Sequence, residues 1–268
     1  MQGSIAQAVA LVCHANGSLR RGEAAPFFPE NSTCQFCASI QFVDATRMRD
    51  SRREETPIAG SPNAWFEHLS RGGTRRLRLS YQPSEPSGGR DFETVGFVGG
   101  GGSWWIVSED AAGSMYGWSS RWLVGNHDAP DRRIWKVTYG RLGEATSPGG
   151  PSVSASGTAL ERALEAMARL SCEHANAAFV DSFEGALAAL RTGDPRGYHR
   201  DLAPTGILPA PALRLLDACQ TGWVLGGMGS WNDQVFDDDA AVEYARVSGE
   251  YWSALTAAIV AATNTSSP

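Results

Sequence analysis

The chain has 268 residues, of which 42% are hydrophobic and 19% charged, so it is long enough to bury a core as one large domain or two small ones. Its net charge of −6 and its pI near 5.4 argue against general nucleic-acid binding, for which a basic surface is expected. No apolar run reaches the length of a membrane span, and the five scattered cysteines are typical of reduced thiols, so we expect a soluble, cytoplasmic protein.

The first predicted element is a short helix near the N-terminus. Four apolar residues recur there at helical spacing, namely Ile5, Val9, Val12 and Cys13. Ser4 can cap the start of this helix, and Asn16-Gly17 can end it in a left-handed turn. A signal-peptide core is the alternative, but no positive residue precedes the segment and Gln7 interrupts its apolar run.

Cys34 and Cys37 have the spacing of a zinc or redox motif. A zinc site needs two further ligands, and the sequence has no second pair at ligand spacing. A redox pair is expected at the start of a helix, whereas the apolar residues that follow Cys37 favour a strand. We therefore interpret Cys34–Val43 as a strand and expect neither a metal nor another cofactor.

The segment from Arg47 to Arg90 carries nine Arg and five acidic residues. It is either an anion-binding patch or a mixed, solvated surface, and the sequence leaves both open. A polar loop to Ala59 is predicted first, then a helix opened by Ser61-Pro62, then a strand through Tyr81. Of the 23 basic residues only Lys136 is not Arg, which favours a bacterial protein from a GC-rich genome.

The clearest β region runs from Phe92 to Leu142 and holds five of the nine Trp. Short connections between its consecutive strands predict an antiparallel meander. Four glycines, 99–102, precede Trp104, but the residues after them match neither a Walker loop nor a dinucleotide fingerprint, so we expect a hairpin, a bulge or close packing.

Adjacent residues of a strand point to opposite faces, so one of Trp104 and Trp105 should lie away from the sheet core. That indole is the better candidate for an aromatic platform that binds a ligand, although burial in the core is the alternative for most of the Trp. His127 lies in the loop Asn126-His127-Asp128, where a His and a carboxylate are close in sequence, but no nucleophile motif accompanies them.

The second half of the chain is predicted to be helical. Residues 143–157 are rich in Gly, Ser and Pro and are typical of a linker. Thr158 and Glu161 form a capping-box signature, and three further helices follow, ending at Gly193, near Gly222 and near Asn264. Glycines between 222 and 229 would allow a close helix contact, which raises the possibility of a homodimer through this helix end.

Ser230, Trp231, Asn232 and Asp233 form the first candidate site. They group a hydroxyl, an indole, an amide and a carboxylate in a predicted loop, where functional residues concentrate. Asp233 could act as a general base, with Asn232 orienting a substrate. The alternative is a turn with a helix cap, which the same residue types also favour.

Together these patterns predict an α+β fold: an antiparallel, Trp-rich meander of about five strands within residues 1–142, and about four helices within 158–268 that cover it. The function is expected to be non-catalytic binding of a small molecule or a protein, of a regulatory or immunity-like kind. A hydrolase using Asp233 and His127 in acid–base chemistry is the alternative.

Overall fold

The computed structural model describes residues 1–23, 25–49, 52–85, 90–97, 99–146, 149–174, 177–194 and 196–267. Its main sheet has six strands in the order β4-β1-β8-β7-β6-β5. Their bounds are β1 Cys37–Asp44, β4 Thr56–Ala59, β5 Thr74–Gln82, β6 Ser103–Asp110, β7 Met115–Val124 and β8 Trp135–Glu144. The two-residue strands β2 (Met48–Arg49) and β3 (Arg52–Arg53) form a separate small hairpin.

Seven α-helices occur in the described residues: α1 Gly3–Arg21, α2 Pro62–Arg71, α3 Asp91–Thr94, α4 Val153–Glu173, α5 Ala177–Thr192, α6 Ala210–Thr221 and α7 Asp238–Asn264. The helices α1, α2 and α7 pack on one face of the sheet. The helices α4, α5 and α6 pack on α7 and on one another, further from the strands. None of the helices in this part of the chain is long and apolar enough to cross a membrane.

The predicted meander is confirmed for the four consecutive strands β5 to β8, which pair antiparallel. The expectation of a purely antiparallel sheet of about five strands is wrong. The first strand, β1, pairs parallel with the last, β8, and β4 adds a sixth strand beside β1. Short connections constrain only strands that are neighbours in sequence, and β1 and β8 are far apart along the chain.

The expected helix count and order also need correction, because the described residues hold seven helices; of the three before residue 142, α1 and α2 were predicted and α3 was not. One of them, α3, occupies part of the segment around Phe92 for which strand was predicted. The helix α4 begins at Val153, where the Ser152 hydroxyl accepts a hydrogen bond from the Ala155 amide, and not at the capping box expected at Thr158. A Ser at the N-cap satisfies an otherwise unpaired amide of the first turn.

The first helix is longer and more central than expected. It continues through Asn16 and Gly17 and ends at Arg21, where Gly22 adopts a left-handed conformation with φ of 73°. Gly17 is a buried residue within the helix. A Cβ there would lie 3.2 Å from Pro204 and 3.3 Å from Ile207, so the absence of a side chain allows these residues to pack closely on the helix. Thirteen residues of this helix are buried, which places it in the middle of the core.

The outer edge of β5 is covered by two amide side chains. Asn16 accepts a hydrogen bond from the Leu77 amide at 2.8 Å and donates to the Leu77 carbonyl at 2.9 Å. Asn264 makes the same pair with Leu79, at 2.7 Å and 3.0 Å. The two asparagines thus supply the hydrogen bonds that a further strand would make, and they tie α1 and α7 to the edge strand.

Candidate functional site

A cavity of about 500 Å³ lies between β5, α3, α7 and the stretch that follows β8. This volume is within the usual range for small-molecule sites. Its polar lining includes Tyr81 from β5 and Asp91 from α3. Its apolar wall comes from Phe92, Trp252 and Val260, and Gly149 to Pro151 of the predicted linker close another side.

A hydrogen-bonded cluster of three side chains forms the polar wall of this cavity. The Tyr81 hydroxyl donates a short hydrogen bond to Oδ2 of Asp91. The same hydroxyl accepts from Nε1 of Trp252 at 2.8 Å. The Ser84 amide donates to the Asp91 carboxylate more weakly, at 3.2 Å from Oδ2 and 3.4 Å from Oδ1. A carboxylate oxygen can accept two hydrogen bonds, so Oδ1 of Asp91 keeps capacity for a donor from a ligand.

The surroundings of the cluster perturb the titration of Tyr81. Burial, and then the hydrogen bond to Asp91, raise the pKa of Tyr81 well above its ordinary value. The phenol therefore stays protonated at neutral pH and acts as a fixed donor. Neither a His nor a Cys lines the described part of this cavity. The only guanidinium there, that of Arg90, forms an ion pair with Glu93.

Packing around the glycine segment 99–102 positions the cavity wall. A Cβ on Gly102 would lie 2.6 Å from the Tyr81 ring and hydroxyl, and one on Gly100 would overlap the Thr94 carbonyl. The glycines therefore allow the chain to pass directly behind Tyr81 and α3. This agrees with the expected close packing, and it gives the segment a structural link to the cavity.

Trp104 and Trp105 lie on opposite faces of the sheet, as predicted from their adjacency. The ring of Trp104 packs against Tyr81 at a centroid distance of 4.9 Å on the helix-covered face. Trp105 lies over Gly117 on the other face, with Cε3 3.2 Å from the position of a Cβ. Both indoles are half-buried, and Trp104 packs on Tyr81, which lines the cavity. Ligand binding by either indole stays a prediction.

The segment Ser230–Asp233 is packed and capped by its own contacts. Trp231 is fully buried, and its Nε1 donates to the Ser248 hydroxyl at 2.7 Å. Oδ2 of Asp233 accepts from the Gly229 amide at 2.6 Å and from the Ser230 amide at 3.3 Å. These contacts are those of the turn-and-cap alternative.

Asn232 has a position relevant to the cavity. Its Nδ2 donates to the Phe92 carbonyl at 2.7 Å, and its Oδ1 accepts from the Gly226 amide at 3.0 Å. It therefore fixes α3, which carries Asp91, to the segment before α7. Asn232 and Trp104 do not line this cavity, but each contacts a residue that does: Asn232 contacts Phe92, and Trp104 contacts Tyr81.

His127 lies elsewhere, on the exposed loop between β7 and β8. Its Nδ1 is 3.5 Å from Oδ1 of Asp128, and both side chains are more than four-fifths exposed. Neither His127 nor Asp233 lines the two cavities described here. The structure thus gives each residue local partners and does not bring the two together at a cavity.

Both cysteines of the pair are buried, Cys34 in a short 3-10 helix (Ser32–Cys34) and Cys37 at the start of β1, so the strand predicted from Cys34 begins only at Cys37. Cys34 and Cys37 are free thiols, and burial raises the pKa of both, that of Cys34 to about 12. A high pKa disfavours the thiolate that metal binding and redox exchange require. No cluster of three or more metal-ligating side chains is found within the residues that the structure describes.

The cavity residues Tyr81, Asp91 and Trp252 escaped the sequence analysis because they come from three separate elements. Only the strand pattern of Tyr81 carried a signal, and it indicated burial. No family model matches this chain, and neither does any curated protein or solved structure.

Proposed function

We propose that the chain is a non-catalytic binding protein for a small, mainly apolar molecule that carries one hydroxyl or amine. The observation that carries this proposal is the 500 Å³ cavity in which the Tyr81–Asp91–Trp252 cluster meets an aromatic and aliphatic wall. Binding sites commonly combine such a wall with a few placed polar groups. Oδ1 of Asp91 would accept the donor of the ligand.

Three matched probes test the ligand class: 2-phenylethanol, 2-phenylethylamine and ethylbenzene. They share an aromatic body and differ in the donor group. Thermal stability and saturation-transfer NMR should show binding of the alcohol or the amine in preference to ethylbenzene, since a ligand of the folded state stabilises it by mass action. Asp91→Ala should abolish this preference, because the acceptor is then missing.

Gly249→Leu tests the location of the site. Gly249 lines the cavity from α7, and a Cβ there meets open space, so a leucine would fill the cavity without displacing the helix. Gly157→Leu in α4 is the matched control, because Gly157 is also helical and has no neighbour within 4 Å of a Cβ. Equal binding of the probes by both variants would show that they bind elsewhere.

A second candidate function is self-association near the Gly222–Gly229 segment. Gly222 and Gly226 are used inside the chain, since a Cβ on Gly222 would lie 2.7 Å from the Tyr251 hydroxyl and Gly226 packs on Gly96. Met228 is nevertheless fully exposed, as an apolar side chain beside them. Native mass spectrometry of the wild-type chain and of Met228→Asp tests this: a dimer lost in the variant supports it, and a monomeric wild type refutes it.

A further inference from the structure

A second cavity, of about 270 Å³, lies between α5, α6 and the stretch that joins them. Arg200, Arg214 and His199 are among the residues that line it. The remaining wall is largely aliphatic and includes Leu202, Leu208 and Leu216, all of them buried. The cavity is thus basic on one side and apolar on the other.

Arg214 is a positioned cation that has no counter-ion among the described residues. Its stem crosses Gly193 at the end of α5, where a Cβ would lie 2.9 Å from Cδ of Arg214. The side chain is half-buried. Among the described residues neither a hydrogen bond nor an ion pair reaches its guanidinium. A partly desolvated guanidinium held in this way favours an incoming anion.

Among the described residues that line this cavity, Asp217 carries the carboxylate, and it has partners within the chain. It accepts hydrogen bonds from the amides of Arg196 and Gly197, both at 2.7 Å. Arg200 approaches it only to 3.6 Å, beyond hydrogen-bond distance. Asp217 therefore stabilises the turn after α5 and partly neutralises Arg200, so Arg214 is the guanidinium at this cavity that is available to an anion.

The ring of His199 is held in a fixed orientation at the same wall. Its Nδ1 is 2.7 Å from the Ser32 hydroxyl, which in turn makes a short hydrogen bond to Asp201. Its backbone amide donates to Oε1 of Gln220 at 2.9 Å. Because the Ser32 hydroxyl donates to Asp201, it accepts from Nδ1 of His199, and Nε2 of the neutral ring is an acceptor. His199 therefore shapes this wall, and the donors to an anion come from arginine.

We propose that this cavity binds a small carboxylate with an aliphatic chain, its carboxylate on Arg214 and its chain against the leucines. The planar fork of Arg matches a carboxylate, whereas inorganic phosphate has no apolar part to place against this wall. The site is separate from the cavity at Tyr81 and does not depend on the function proposed for it.

Isothermal titration calorimetry with sodium hexanoate tests the proposal, with 1-hexanol and inorganic phosphate as comparison probes. Hexanoate should bind more tightly than either. Arg214→Gln should weaken hexanoate binding by about tenfold or more, as expected for loss of a charge-assisted hydrogen bond. Arg214→Lys, which keeps the charge without the fork, should lie between Arg214→Gln and the wild type.

Arg162→Gln is the matched control, since Arg162 is an exposed residue of α4 outside both cavities. It should bind hexanoate like the wild type, and so should Gly249→Leu, which fills only the first cavity. Circular dichroism of each variant checks that the fold is kept. Absence of hexanoate binding, tighter binding of phosphate or hexanol, or equal affinities of Arg214→Gln and Arg162→Gln would overturn the proposal.

Discussion

The hydrogen bonds that Asn16 and Asn264 make to the edge strand β5 allow a quantitative test of the fold. Replacing Asn16 with Leu keeps the side chain close to its original size but removes three hydrogen bonds, two to the backbone of Leu77 and one to the Ser266 hydroxyl at 2.8 Å. The Leu77 carbonyl keeps a partner, because the Ser267 hydroxyl donates to it at 3.0 Å. The Leu77 amide is left buried and unpaired.

The expected cost of Asn16→Leu follows from this count. A buried donor left without an acceptor costs about 1–3 kcal/mol, and the Ser266 hydroxyl loses a partner as well, so the free energy of unfolding should fall by about 2–4 kcal/mol. With a urea m-value of about 3 kcal/mol/M, the unfolding midpoint should drop by roughly 1 M. Asn264→Leu should cost a similar amount, because both backbone groups of Leu79 then lose their partners.

Urea unfolding followed by circular dichroism measures these changes. Asn126→Leu is the control, because Asn126 lies in an exposed loop, where substitutions usually change the free energy of unfolding by about 0.5 kcal/mol or less. If Asn16→Leu were as stable as this control, the two asparagines would not be what protects the edge strand. An unchanged m-value would show that the loss belongs to the folded state.

Three further changes test other parts of the structure. Ser248→Ala leaves the buried Nε1 of Trp231 unpaired and should lower the free energy of unfolding by about 1–3 kcal/mol in urea titrations. Gly100→Ala should destabilise the chain because its Cβ overlaps the Thr94 carbonyl, whereas Gly157→Ala should raise the thermal midpoint, since Ala is favoured over Gly within a helix by about 1 kcal/mol. Burial lowers the pKa of His14, so the unfolded chain binds more protons than the folded one, and the free energy of unfolding should fall as the pH drops through about 6.5. His14→Gln should make the free energy of unfolding less dependent on pH in this range. An unchanged pH dependence in the variant would show that His14 is not its source.

The strands and helices that follow a local period were the predictable part of the fold. Alternation of Leu77, Leu79 and Tyr81 predicted β5, and Ser61-Pro62 marked the start of α2, where the Ser61 hydroxyl accepts from the Ala64 amide. The errors arose where tertiary contacts override local pattern. Asn16-Gly17 resembles a helix end. In the structure, however, the side-chain amide of Asn16 bonds to β5 and Gly17 allows Pro204 to pack closely, and α1 continues past both residues.

The candidate site was less predictable than the fold for a related reason. Ser230, Asn232 and Asp233 were predicted as site residues because they are polar and lie in a predicted loop. A sequence does not show which backbone groups depend on such side chains for their hydrogen bonds. In the structure Asp233 caps its own turn and Asn232 reaches α3, so their polarity is used in folding. The division of the chain at residues 143–157 stays a prediction, although Gly149 to Pro151 line the larger cavity.

The larger cavity exists because three long-range contacts meet at one end of the edge strand. Asn264 holds the C-terminal end of α7 against Leu79, and Trp252, three turns earlier on that helix, reaches the Tyr81 hydroxyl. Asn232 holds α3 in place, so that Asp91 can accept the hydrogen bond of the phenol. Each of these three contacts joins residues more than a hundred positions apart in the sequence. No short sequence motif marks such contacts. Asn232→Ala should therefore keep the fold but lose binding of 2-phenylethanol, because α3 is then no longer held where Asp91 faces a ligand. Unchanged binding of 2-phenylethanol by this variant would show that the position of α3 does not depend on the Asn232 amide.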